Sequence, residues 1–379
     1  MEIINNKKIK ELLNKKNLSE FEDEVINDLE KEFGVLLNRK LKECKNKLRI
    51  IKNDDNKEHT KAKDYLTKEQ ILELPTWVKE DIDNAYLIGN SKQVIQISDK
   101  RKYHLKNRLN DLSWWEWTFF LNSVINTRYT TGLEDWYAHH IRKIHPSPKP
   151  PQLMEWIIKF FTKENDLVLD YFMWVGWTLL WASLCNRRAI WVDLSAEFID
   201  TYKRANNFLW LKEQKAIKGD SIKLLKSWKI ASEIWDDELS LILIDPPYWD
   251  MMNRKKTWEA IKLKKDTSAT PYTSLKEDLW NMESEDFRKV FKESVEKSME
   301  FLKNKWHVVV FIKDMQPKWK DLNLLHCNMI LDLNEIPGLN YLWTKIWADQ
   351  WVNLYPYWYP FSYVSNQIHQ YILIFQKNI

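Results

Sequence analysis

Asp245, Pro246, Pro247 and Tyr248 directly follow the apolar strand "LSLILI". Two adjacent prolines fix the backbone and remove two N–H donors, which leaves carbonyl acceptors facing outward. A carboxylate beside such a carbonyl makes a paired acceptor for both hydrogens of an amine attached to a ring. Tyr248 adds a face on which a flat ring can stack. Accepting both hydrogens would steer the nitrogen lone pair towards an electrophile on the far side. The chemistry such a site offers is positioning and electrostatics. In isolation, the same four residues also suit a plain strand-ending turn.

A second stretch with chemical potential is "LVLDYFMWVGWTLLWASLCNRRAIWVDLS", residues 167–195. It opens as a buried strand, bends through a tight loop, runs into a helix and closes with a strand ending in Asp193. That outline is a nucleotide-binding βαβ unit, with an acid placed where such folds hold ribose hydroxyls. Asp193 also suits an N-cap for the helix that follows. The loop wants glycine but carries Trp174 and Trp177. The whole chain shows the same substitution: 22 Trp and only 6 Gly in 379 residues. Ordinary usage of about 7% would give roughly 27 Gly. The tryptophans cluster at turn-like places such as "DPPYWD" and "YPYWYPFS". A protein that is simply rich in Trp has no reason to lack turn-forming Gly as well. Many of these tryptophans are therefore read as glycines whose UGA codons were translated as Trp.

The surrounding elements are those of an α/β fold. From about residue 132 a proline-punctuated loop, "HPSPKPP", enters a helix whose apolar stripe runs from Gln152 to Phe161. Then come strand 167–170, helix 178–186, strand 189–193, helix 196–209 and a short strand leading to "IKGDS". The run "LSLILI" follows, then a long loop, a helix over 284–303, the strand "HVVVFIKD" and a final strand "HQYILIF". Alternating strands and helices predict a doubly wound, mostly parallel sheet covered on both faces. Its ligands belong beyond the carboxyl ends of the strands. Residues 1–131 are expected to form a mainly helical accessory region. Leu18, Phe21, Val25, Leu29, Phe33, Leu36 and Leu41 recur at helix steps, Ser19 and Glu22 fit a capping box, and 67–131 looks mixed, with a helical piece around "WEWTFFLNSVINTRY".

In "HPSPKPPQLMEWII", "VLDYFMWVGWT", "DPPY" and "NQIHQYILIF" the chain resembles the amino-group (N6-adenine and N4-cytosine) DNA methyltransferases, over about residues 132–379. The loop matches once Trp174 and Trp177 are restored to Gly, and Tyr171 stands where the family has proline. The resemblance implies S-adenosylmethionine as cofactor, bordered by Asp170, Phe172, Trp174, Gly176, Trp177 and Thr178. It puts Asp193 on the ribose and Asp220 near the adenine. Asp245, Pro246, Pro247 and Tyr248 become the catalytic tip, acting on a base flipped out of double-stranded DNA. An Asp at the head of the tetrapeptide favours adenine N6 over cytosine N4. An RNA base methyltransferase and a non-catalytic nucleic-acid-binding protein remain as rivals.

With little room between the two motifs, target recognition is expected in 249–283, in an insertion over 316–366, or in the N-terminal region. Arg254, Lys255, Lys256, Lys262, Lys264 and Lys265 would contact phosphates, although such a loop is equally at home in solvent. A net charge of +4 agrees with nucleic acid without requiring it. Cys44, Cys185 and Cys327 show neither a disulfide framework nor a CxxC site, and none follows a proline as a carbon-5 cytosine methyltransferase requires. His139, His140 and His145 lack the partners of a metal site, and no phosphate-binding G-x(4)-GK[ST] loop exists. With neither a membrane-length apolar run nor a signal-peptide core, a cytoplasmic location is expected, and a restriction enzyme is a candidate companion.

Overall fold

A computed structural model of the chain describes residues 60–127, 138–142, 144, 149–172, 174–234, 237–246, 279–314, 324–350, 354–356, 359–361, 363 and 365–379. The chain divides into two compact units. One is Met1–Tyr129 with Asp349–Trp351, and the other is Thr130–Ala348 with Val352–Ile379.

In the smaller unit the elements are β1 (Thr60–Lys61), α1 (Ala62–Tyr65), α2 (Lys68–Leu72), α3 (Thr76–Lys79), β2 (Tyr86–Ile88), β3 (Val94–Gln96), β4 (Lys102–His104), α4 (Trp114–Phe120) and β5 (Val124–Thr127). Strands β1 to β4 form an antiparallel sheet in chain order. Leu87, Ile95 and Tyr103 stand side by side across it and pack on Ala62, Leu66, Leu74 and Val78. Capping boxes open α2 (Thr67 with Gln70) and α4 (Ser113 with Glu116). The helix expected through "NSVINTRY" stops at Phe120. Val124, Ile125 and Thr127 are β-branched, and this part is a strand instead. The helical periodicity of residues 18–41 lies outside the described residues.

The larger unit carries α5 (His139–Arg142), α6 (Pro151–Phe161), β6 (Leu167–Asp170), α7 (Trp177–Leu184), β7 (Arg188–Asp193), α8 (Ala196–Phe208), β8 (Lys215–Lys218), α9 (Ser221–Lys226), α10 (Trp228–Ile234), β9 (Leu239–Ile244), α11 (Ser284–Ser298), β10 (Leu302–Ile312), α12 (Leu325–Asn334), β11 (Leu339–Asp349) and β12 (His369–Lys377). Its strands lie in the order β11-β12-β10-β9-β6-β7-β8. The run from β10 to β8 is parallel, and β12 and β11 add antiparallel neighbours. This is the α/β, mostly parallel sheet that the alternation of elements predicts.

Every residue of β6 and β9 is buried, which is why both read as nearly continuous apolar runs, interrupted only by Ser240 and closed by Asp170. From β6 the chain winds outward through β7 to β8, then returns to place β9 and β10 on the other side. The switch point therefore lies between β6 and β9, and the ligand crevice of such a sheet opens at their carboxyl ends.

Two expectations are corrected here. The helix expected over 284–303 ends at Ser298, because Leu302 already pairs with Leu239 as the first residue of β10. The stretch 316–366 is not wholly an insertion: α12 and β11 lie within it, and β11 pairs with β12 along nearly its whole length. Among the described residues no helix is long and apolar enough to cross a membrane.

Candidate active site

Strand β6 ends in Asp170, and the chain turns through Tyr171–Gly176 before α7 begins. Asp170 is only 4% exposed. Its Oδ1 accepts the Phe172 N–H at 3.0 Å, and its Oδ2 lies 2.6 Å from the Thr178 hydroxyl. One carboxyl thus ties the start of the loop to the first turn of the helix. Burial pushes it up to about 8, against the pull of those two hydrogen bonds, with Asp245 and Asp193 adding to the rise. Phe172 packs on Tyr171 and stacks with Phe291 of α11.

Gly176 holds φ +94°, and a Cβ there would lie 2.9 Å from Tyr202 Cδ2. Tyr202 is fully buried on α8. Glycine is therefore required both by the backbone and by the approach of the two helices.

Trp174 is the residue that links the crevice. Its backbone N–H donates to Asp193 Oδ2 at 3.0 Å, and its indole Nε1 donates to the Asp245 carbonyl at 2.8 Å. The residue therefore spans from the end of β7, through its backbone, to the turn after β9, through its indole, and it is only 8% exposed. Its φ is +53°, a left-handed conformation that glycine adopts at no steric cost. Trp177, also buried, opens α7 with the Arg142 guanidinium 4.1 Å from its ring centroid.

Asp193 accepts a second N–H, from Ser195 at 2.7 Å, and the cap of α8 is Ser195, whose hydroxyl accepts from Phe198 N. Asp193 is thus spared the capping role. Asp220 takes that role on α9, accepting from Ile222 N and Lys223 N. At the turn after β9, Asp245 Oδ2 lies 2.9 Å from Lys149 Nζ, with side-chain exposures of 13% and 5%. Lys149 stands two residues before α6, and its ammonium also faces the Phe311 ring at 5.3 Å. Sequence reasoning gave Lys149 no role. The one available signal was a charged residue pinned among the prolines of "HPSPKPP". Pro247, Tyr248, Arg254, Lys255, Lys256, Lys262, Lys264, Lys265 and His145 lie outside the described residues.

The β6 loop, the acid ending β7 and the acid following β9 therefore meet at one place, joined by residue 174. Residues 6–204, more than half of the chain, match the N6/N4 family described as DNA methylase. The chain belongs to that family.

Among curated proteins, 60 residues are 40% identical to the type II methyltransferase M1.MboII of Moraxella bovis, covering 16% of this chain and 23% of that protein. Another 90 residues are 32% identical to the type II methyltransferase M.HpaI of Haemophilus parainfluenzae, covering 22% of this chain and 29% of that one. The chain thus spans about a quarter of the curated relatives it matches. Among solved structures, TrmN from Thermus thermophilus aligns with 60% of this chain and 48% of its own at 13% identity and a TM-score of 0.37, a likeness too distant to bear on function. Within this methylase-family chain, Trp174 occupies the middle of the crevice that the strand ends enclose.

Proposed function

We propose that residues 132–379 form an S-adenosylmethionine-dependent methyltransferase domain that acts on double-stranded DNA. The methyl group goes to the exocyclic amine of a flipped base, adenine N6 in preference to cytosine N4. The observation that carries this reading is the pair of hydrogen bonds from residue 174, to Asp193 through its backbone and to Asp245 through its side chain. A donor held by the first acid and an amine held by the second would face each other across that one residue.

The donor set fits the cofactor. Asp193 accepts the backbone N–H of residue 174 on one oxygen and that of Ser195 on the other, a carboxylate held in place at the strand end where a ribose hydroxyl would donate. The space does not fit as written, because the Trp174 indole reaches across to the Asp245 carbonyl. With glycine at 174, the left-handed backbone is satisfied, the backbone N–H can still meet Asp193, and the indole is gone. S-adenosylmethionine, when bound, supplies an electrophilic methyl on a sulfonium. Asp245, held by Lys149, accepts one amine hydrogen, and the neighbouring proline carbonyl accepts the other. The amine lone pair is thereby aimed at the crevice. The relatives named type II methyltransferases make a companion restriction enzyme part of the same reading.

The test compares the chain as written with a W174G/W177G variant. The glycine form should bind S-adenosylmethionine by calorimetry and transfer labelled methyl to DNA, while the written form should do neither or nearly so. Equal cofactor affinity in the two forms would mean that these tryptophans are functional residues. Label arriving in RNA and not in DNA would redirect the substrate.

A further inference from the structure

Strand β10 leads into a second cluster of reactive side chains, for which methyl transfer has no use. Asp314 lies two residues beyond the strand, and His326 and Cys327 lie in the first turn of α12. Asp314 Oδ1 accepts the His326 backbone N–H at 2.9 Å, and its Oδ2 is 2.6 Å from the ring Nδ1. A carboxylate at Nδ1 keeps the proton on that nitrogen and leaves the Nε2 lone pair facing outward. Nε2 is 3.2 Å from the Cys327 sulfur. The Tyr371 ring lies parallel to the imidazole, 10° between planes and 3.9 Å between centroids, which fixes its orientation. Nucleophile, base and orienting acid are thus in sequence, each within hydrogen-bond reach of the next.

We propose that Cys327 is a nucleophilic thiol, activated by His326 and oriented through Asp314, that serves as an oxidation site for hydrogen peroxide. The thiol proton passes to Nε2, and the sulfur attacks one peroxide oxygen. An S–O bond forms as the O–O bond breaks. The departing hydroxide takes the proton back from the imidazolium and leaves as water. Cysteine is oxidised to sulfenic acid and the peroxide is reduced.

The imidazole faces Asp314, just beyond β10, and the Tyr371 ring of β12, while the neighbouring His369 of β12 feels the charges of Lys313, Asp314 and His326. His369 Nε2 lies 3.2 Å from the Tyr371 hydroxyl. Among the described residues no three His, Cys, Asp or Glu side chains are arranged to hold a metal ion. Cys185 supplies an internal contrast, since burial pushes its thiol up to about 12.

The experiment measures alkylation of each cysteine by iodoacetamide across pH, read by mass spectrometry on the folded full chain and on the same chain unfolded in urea. His326 Nε2 stands ready to accept the thiol proton as the sulfur attacks, a base that the unfolded chain does not hold in place. Folded Cys327 should therefore react about tenfold faster at pH 6 than unfolded Cys327, within the roughly 10²–10⁴-fold that a positioned base can contribute, and Cys185 should stay protected. His326→Gln should remove the acceleration, and dilute hydrogen peroxide should make Cys327 reactive towards dimedone in the unmutated chain. Folded Cys327 reacting at pH 6 no faster than the unfolded chain overturns the proposal. That comparison needs no variant, and it does not depend on methyl transfer.

Discussion

Asp170, Asp193 and Asp245 stand at the ends of three adjacent parallel strands, yet their surroundings give them different tasks. Asp193 faces two N–H donors and Asp245 an ammonium, while Asp170 is buried and neutralised. In a protein carrying glycine at 174 and 177, Asp245→Ala should abolish methyl transfer and leave cofactor affinity largely intact, whereas Asp193→Ala should weaken it strongly. Equal loss of affinity in the two variants, measured by calorimetry, would mean the roles are misassigned. Asp170 makes a separate prediction in the chain as written. Its carboxyl titrates at about 8 when folded, against about 3.9 in an unfolded chain. Between those values the native state holds a proton that the unfolded state has lost. Stability should then fall as pH rises through that window, by up to roughly 1.4 kcal/mol per pH unit. Asp170→Asn should flatten the slope and be the more stable form at pH 8, and urea titrations at pH 5 and pH 8 test this; an unchanged slope refutes it. The three acids were legible in the sequence because each follows an apolar run. The Lys149–Asp245 pair was not, because nothing local links residues so far apart along the chain.

Elements show why a tryptophan can be recognised as a glycine position. Helix α8 ends with Leu211 N donating to Asn206 O and Trp210 N to Asn207 O, the hydrogen-bond pattern of a Schellman motif. Its left-handed residue, where glycine is usual, is Trp210, with φ +54° and 95% of its surface exposed. An L side chain there costs roughly 1–2 kcal/mol, and the exposed indole returns little burial. Trp210→Gly should raise stability by roughly 0.5–1 kcal/mol once the extra freedom of unfolded glycine is counted. Trp77 is the contrast. Its Nε1 donates to Asp111 O at 2.7 Å, and its ring meets Tyr103 edge-on beneath the Arg101 guanidinium. Trp77→Gly should destabilise by roughly 3 kcal/mol or more. Chemical denaturation of both variants checks the pair, and opposite signs are required. Trp191 sides with Trp210, since its buried Nε1 finds no hydrogen-bond partner among the described residues. The central strands were readable because a doubly covered sheet writes continuous apolar runs. The three-residue strands β2, β3 and β4 were not, since a period of two cannot show itself over three residues. The end of α11 was missed because Met299 and Leu302 continue a helical spacing, and only pairing with β9 stops it.

For the molecule as a whole, the question is where a chain of net charge +4 would hold a polyanion. So small an excess spread over 379 residues does not attract DNA by itself, so affinity must come from a local concentration of cations. Part of 316–366 is no longer free for that purpose, because α12 and β11 belong to the packed unit and its sheet. The densest basic stretch near the Asp245 turn is then 254–265, with Arg254, Lys255, Lys256, Lys262, Lys264 and Lys265. Cations that touch only phosphate carry no sequence information, so removing them should weaken every DNA alike. Each lysine–phosphate interaction removed should also reduce the slope of log affinity against log salt by about 0.9. Replacing the five lysines with alanine should therefore flatten the salt dependence in steps, leaving cofactor affinity of the glycine form unchanged. Fluorescence anisotropy with matched duplexes from low to moderate salt reads the DNA affinity and its slope. Unaltered binding at low salt would take the DNA surface away from this stretch and towards the N-terminal region. A loss confined to one DNA sequence would instead make these residues readers of bases.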